Sequence, residues 1–224
     1  MTKTPIAVTY IGNFISARAG AWQYCEDLTA QLENSGVSVR RSSRRIHPIL
    51  RLSEMVFEAL RAGRSRAVVV VDVFSTRGFL WAEWASIAAK MGGAIVIAVL
   101  HGGGLPRRAR RNPRRMRAIY DRCEAILTPS HYLPEEMQPQ APSTIRYIPN
   151  AIELGRYRFV ELSAPKPQVV WLRAFSARYR PDVAIRTIAE ISDKWPDVRL
   201  VMGGPDKGDG SLESSRNLIE ELSL

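Results

Sequence analysis

Cysteine is scarce. Of 224 residues only Cys25 and Cys123 carry thiols. Both fall within helical patterns, so a disulfide framework is not expected. Long apolar runs are missing: none approaches the ~20 residues that cross a bilayer, so no membrane span is expected. The N-terminus MTKTPIAVTYIG lacks a long apolar stretch and an A-x-A site, and reads as a strand rather than a signal peptide. Together these absences favour a reducing, cytoplasmic setting, with a peripheral role at the inner face of a membrane left open. The first βα loop contains no G-x-G-x-x-G, so dinucleotide binding has little support. No second His or Cys stands near His101 at metal spacing, so zinc is not expected, and nothing else in the chain calls for another metal or a cofactor. Aromatics make up 8% of the chain, and none interrupts the run RRARRNPRRMR at 107–117. Stacking on single-stranded bases needs such aromatics, so specific nucleic-acid binding is not expected.

Negative charge is also short. Lys and Arg number 32 against 22 Asp and Glu, which leaves a formal charge of +10 and a pI of about 10.1. That excess suggests an anionic partner, whether nucleic acid, acidic lipid or a phosphorylated small molecule, although solubility alone accounts for part of it. Hydrophobic residues make up 46%, enough for a real core.

Short apolar runs alternate with amphipathic ones. Strands are expected at 6–11, 37–41, 67–73, 94–100, 125–128 and 144–148. Helices are expected at 21–34, 49–62 and 79–90, and another after Asn112 with Pro113 at its first position. Runs such as AVVVVDV and AIVIAVL imply strands buried on both faces. Strands alternating with helices imply parallel βαβ units, hence an α/β, Rossmann-like doubly wound sheet. This domain spans 1–155. Residues 156–167 read as a linker. At 168–224 the strand–helix pattern restarts but supplies only two strands, the start of a second Rossmann-like domain.

Four stretches carry candidate chemistry. The loop GNFISARAG, from Gly12 to Gly20, joins the first strand to the first helix, and its glycines allow close ligand approach. A plain βα loop is an equal reading. In LHGGGLP, His101 sits at a strand's carboxyl end, followed by Gly102 and Gly103, where side chains meet substrate in open parallel sheets. The run holding Arg107, Arg108, Arg110, Arg111, Arg114, Arg115 and Arg117 reads as a loop and a first helical turn. It makes a positive patch suited to an acidic acceptor, a phosphate backbone or anionic lipid, or simply a solvated face. Arg173 ends one strand, Gly203 and Gly204 end the next, and Arg178 follows in the turn. Two guanidinium groups and thin backbone on one rim suit a diphosphate; surface ion pairs with Asp182 or Glu190 are the alternative.

In order along the chain, GNFISARAGAWQY, LHGGGLP, ILTPSHYLPEEM, IPNAIE, WLRAFSARYRPDVAI and RLVMGGPDKGDGS resemble the GT-B glycosyltransferases of family 4. That resemblance implies retaining sugar transfer from a nucleotide-sugar donor, with the acceptor, a sugar, a lipid-linked group or another molecule, held mainly by the first domain. It places Gly20 in the acceptor-side loop, His101 near the transferring sugar and Arg173 on the donor phosphates. Where the family usually has lysine in an R-x4-K pattern, this chain has Arg178. The family's Glu-x7-Glu motif lies late in the second domain. The chain ends before that point, so the resemblance implies an incomplete donor domain and an inactive isolated chain. No Asp-x-Asp follows a strand, since Asp72 precedes Val73 and Phe74, which disfavours the metal-dependent transferase fold. Two other classes stay open: a nucleotide-sugar epimerase of the same architecture, and a basic anion- or nucleic-acid-binding module.

Overall fold

The computed structural model describes residues 7–16, 23–45, 47–65, 67–161, 164 and 166–224. The chain divides into two compact units, Met1–Tyr157 and Arg158–Leu224.

The first unit is built on six strands: β1 (Ala7–Ile11), β2 (Ser38–Ser42), β3 (Val68–Phe74), β4 (Ile95–His101), β5 (Ala125–Thr128) and β6 (Ile145–Tyr147). Their order is β2-β1-β3-β4-β5-β6, and every described pairing is parallel. The helices are α1 (Tyr24–Asn34), α2 (Pro48–Arg64), α3 (Gly78–Gly92), α4 (Leu105–Arg111), α5 (Pro113–Tyr120) and α6 (Tyr132–Met137). Successive side chains on a strand point to opposite faces. On one face Val69, Val71, Val73 and Leu100 pack with Met55, Ala59, Ala82, Ala85 and Ala89 from α2 and α3. On the other, Tyr10, Phe14 and Cys25 form a smaller cluster with Tyr24, Leu28 and Val70. The valine run of β3 is therefore fully buried on the α2–α3 side, at Val69, Val71 and Val73, and half-buried on the other, at Val68 and Val70.

Two glycines set how closely α2 and α3 approach. A Cβ on Gly63 would lie 2.4 Å from Gly92 backbone, so only glycine fits at that crossing. Gly93 follows in the left-handed conformation, φ 89°, and ends α3.

Two short helices depart from the sequence reading. Residues 105–111 form α4 rather than a loop, because Leu105, Pro106 and Ala109 bury one side of the turn. Its Arg108, Arg110 and Arg111 thus lie in a last turn, where cations suit the helix dipole. Helix α6 likewise forms on buried Leu133 and Met137.

The second unit pairs β7 (Gln168–Leu172) with β8 (Arg199–Gly203) in parallel; α7 (Pro181–Ser192) joins them and α8 (Ser211–Glu221) follows. Phe175, Ile185, Ile188 and Leu218 are buried, but Val169, Val170, Leu172 and Val201 are exposed. An apolar hollow of about 480 Å³ lies among Ile185, Ile188, Leu200, Met202 and Ile219.

Candidate functional site

At the carboxyl edge of the first sheet, three side chains from three elements converge on one carboxylate oxygen of a fourth. Tyr10 lies on β1, Asp72 on β3, His101 ends β4, and Tyr24 opens α1. Tyr10 Oη and Tyr24 Oη each donate to Asp72 Oδ1 at 2.8 Å. The two phenol oxygens also touch each other. His101 Nε2 stands 3.1 Å from the same Oδ1 and 3.0 Å from Tyr24 Oη. The ring stacks on Phe74, its partner across the β3–β4 ladder, at a centroid distance of 5.0 Å.

The proton inventory follows from these contacts. Burial, reinforced by the Asp72 charge, pushes both phenol pKa values well above the tyrosine range, so both remain donors. A carboxylate accepts, so the tautomer of His101 with its proton on Nε2 donates to it. Nδ1 has no hydrogen bond among the described residues and is the nitrogen left to accept one.

Gly12 serves this cluster from behind. A Cβ there would fall 2.7 Å from Asp72 Oδ2, so glycine makes room for the carboxylate. Arg51 is buried, donates to Asn13 Oδ1 and to the Gly12 carbonyl at 3.4 Å, and lies over the Trp81 ring. Burial lowers its pKa. The start of α1 is held by Glu26, which accepts from Ser16 Oγ at 2.7 Å and from the Gln23 N–H at 3.2 Å. Gly20 lies outside the described residues. Gly102, with φ 87°, requires glycine, and a Cβ on Gly102 or Gly103 would meet nothing within 4 Å.

The arginine run is split between structure and surface. Arg108 donates to the Ser75 carbonyl and lies over Phe79, and Arg115 forks onto Glu83. Arg110 pairs with Glu136 and Arg117 with Asp121. Arg107, Arg111 and Arg114 are exposed, without an ion pair among the described residues.

In the second unit, Arg173 follows β7 and its N–H donates to the Gly203 carbonyl at 3.1 Å. Gly204 has φ 154°, and a Cβ there would lie 1.7 Å from the Arg173 carbonyl oxygen. Arg173 and the glycine pair are thus adjacent on one rim. The Arg173 guanidinium lies over Tyr179, 5.4 Å from the ring centroid, and Arg178 precedes that ring in sequence. Asp182 is taken by Arg180 through a two-pronged contact, so it is not the partner of Arg173 or Arg178. Asp209 ties the two loops together by accepting from Ser176 Oγ, the Ala177 N–H and the Ser211 N–H. Glu213 and Glu221 have Glu-x7-Glu spacing, yet they sit exposed at opposite ends of α8, about 12 Å apart along its axis, too far to share one ligand group.

The profile of Glycosyltransferase Family 4 matches residues 23–156, more than half of the chain and nearly all of the described first unit. The chain belongs to glycosyltransferase family 4. Tyr24, Asp72 and His101 all lie inside the matched segment of this family 4 chain, whereas Arg173 and the Gly203-Gly204 rim lie beyond it. No curated protein matches in sequence. Among solved structures, one of a Listeria monocytogenes protein assigned as a UDP-N-acetylglucosamine 2-epimerase is similar in fold, with TM-score 0.60 and 11% identity. The similarity covers 98% of this chain but 66% of that one, so the chain spans less than two thirds of its length. Among the described residues no helix is long and apolar enough to cross a membrane.

Sequence reasoning singled out His101 but not Tyr10, Tyr24 or Asp72. The signal for Asp72 was present. A lone carboxylate within AVVVVDVF is buried by its strand and must find donors. The two tyrosines carried no such mark, since helical or strand spacing explains an aromatic equally well as core.

Proposed function

We propose that the chain carries out, or forms part of an enzyme that carries out, retaining transfer of a sugar from a nucleotide-sugar donor to an acceptor. The observation that supports this most is the His101 cluster within the family-matched unit. In this reading Asp72, 3.1 Å from Nε2 of the imidazole, favours the tautomer with its proton on that nitrogen. Nδ1 then accepts a hydrogen bond from a hydroxyl of the transferring sugar and orients it. Arg173, aided by Arg178, faces the donor diphosphate. In a retaining transfer, positive charge grows at the anomeric carbon and negative charge on the leaving diphosphate, and a fixed guanidinium stabilises the latter. Gly203 and Gly204 keep the backbone thin beside Arg173.

The test is nucleoside diphosphate release from a panel of nucleotide sugars, with and without candidate acceptors, followed by the anomeric configuration of the product. Acceptor-dependent release with retention is expected, and His101→Ala should lower it by about 10²-fold or more. The fold of the similar Listeria structure favours one second reading, epimerisation. Epimerised sugar formed without acceptor would establish that reading and reject transfer.

A further inference from the structure

The outward face of α2 and α3 carries a feature that sugar transfer does not use. Ile49, Leu50 and Phe57 on α2, and Leu80, Trp84 and Met91 on α3, are between 40% and 78% exposed. They are not scattered. Leu80, Trp84 and Met91 follow one helical stripe opposite the buried Ala82, Ala85 and Ala89. Leu50 and Phe57 stand seven apart, opposite the buried Met55 and Ala59. The Gly63–Gly92 contact brings the two helices together, so the stripes run side by side.

Cations flank this apolar strip. Arg61 and Arg64 follow Phe57 by one and two turns, and Arg77 precedes Leu80. Helix α5 is tied to α3 through Arg115 and Glu83, next in sequence to Trp84, and it adds Arg114. These four arginines are exposed and have no carboxylate partner among the described residues. Residues 40–117 contain four carboxylates, and each is engaged. Glu54 and Glu58 pair with Arg45 and Arg40, Glu83 with Arg115, and Asp72 sits in the tyrosine–histidine cluster. An apolar strip bordered by unneutralised arginines selects its partner. A second copy related by a two-fold axis would set arginine against arginine. An uncharged apolar partner would leave the arginines unanswered.

We propose that this α2–α3 face docks on an anionic lipid surface. Trp84, Phe57 and the aliphatic residues enter the headgroup boundary while the arginines meet lipid phosphates, the amphipathic mode of interfacial helices. Neither part suffices alone, because a short apolar face or a few cations binds reversibly. The inference does not depend on the transfer chemistry, and its test needs no turnover.

The full chain is sedimented with vesicles of phosphatidylcholine alone and of phosphatidylcholine mixed with phosphatidylglycerol. Binding to the anionic vesicles at least about tenfold tighter is expected, falling with added salt. Arg61→Glu with Arg64→Glu should lower it by about tenfold or more. Phe57→Ser with Trp84→Ser should lower it on both vesicle types, while Phe159→Ser, an exposed aromatic in the other unit, should leave it unchanged. All these positions are exposed, and circular dichroism confirms that each variant is folded. Equal binding to neutral vesicles, no vesicle binding, or equal loss from Phe159→Ser would overturn the proposal. Self-association that needs Trp84, without vesicle binding, would assign the face to a second copy and overturn it as well.

Discussion

The two units use similar sequence in opposite ways. AVVVVDVF in the first and QVVWL in the second are both valine-rich strand sequences. Val69, Val71 and Val73 are at most 1% exposed, whereas Val170 is 54% exposed. A strand sequence specifies extended backbone, but its burial is set by what packs on either side. Charge divides just as sharply. The first unit has 22 Lys and Arg against 12 Asp and Glu, the second 10 against 10. The entire excess of +10 therefore belongs to the unit that holds the buried tyrosine–aspartate–histidine cluster and the arginine-flanked face.

The largest test of this contrast is Asp72→Ala. It leaves the buried Tyr10 and half-buried Tyr24 hydroxyls without their carboxylate acceptor, and a buried group that loses its partner costs about 1–3 kcal/mol. A loss of about 4 kcal/mol is expected, read as a lower urea midpoint for the first unit. Adding Tyr10→Phe and Tyr24→Phe should recover part of it, because both partners are then gone. No recovery in the triple variant would show that Asp72 acts by packing alone.

Next in size is Arg173→Ala against Arg107→Ala, measured as turnover at low and high salt. Under the proposed chemistry Arg173 faces charge that develops on the leaving diphosphate, where one lost donor costs roughly 10²–10³. Arg107 is exposed and has arginine neighbours, so its loss should leave turnover nearly unchanged. Equal losses would refute the assignment of donor binding to the second unit. Gly204→Ala tests the same rim structurally. Its Cβ cannot coexist with the Arg173 carbonyl, so the rim must shift, at a cost of about 2–3 kcal/mol. Hydrogen exchange should show the loosening confined to the second unit.

Much of the fold was legible because it rests on short-range pattern. Valine runs and the Pro113 helix start each follow from local pattern. Helices α4 and α6 were not legible, since six or seven residues show too little periodicity. The candidate site could be picked out where chemistry is rare in its setting, as with His101 at a strand end before three glycines. It was illegible where the reason lies in a neighbour. Gly12 reads as a ligand-approach glycine, yet its open side is filled by Asp72 from another strand. Arg108 and Arg115 read as free cations, yet Phe79 and Glu83 on α3 claim them.

The last contrast separates the units by pH. In the first unit, burial pushes Cys25 and Cys123 up to about 12 and raises Tyr10, Tyr24 and Tyr120 above the tyrosine range. A group whose pKa is higher folded than unfolded contributes its full stability below its unfolded pKa and loses it as pH rises. Unfolded cysteine ionises near about 8.5 and tyrosine near about 10. The first unit should therefore weaken from about pH 8.5 upward and more steeply above about 10, by at most about 1.4 kcal/mol per pH unit for each group. In the second unit the shift runs the other way. Hydrogen bonds from Ser211, Ala177 and Ser176 hold Asp209 well below the usual carboxylate range. That contribution is present at neutral pH and lost as pH falls below about 4, where an unfolded aspartate takes up its proton. Asp209 is exposed, so solvent screening keeps the acid effect small. Urea midpoints of each unit, followed from pH 3 to pH 11 by the exchange of amides within it, should show the first failing in alkali and the second softening in acid. Cys25→Ser should flatten only the alkaline limb of the first unit. An alkaline limb that appears equally in both units would mean that the buried thiols and phenols are not its source.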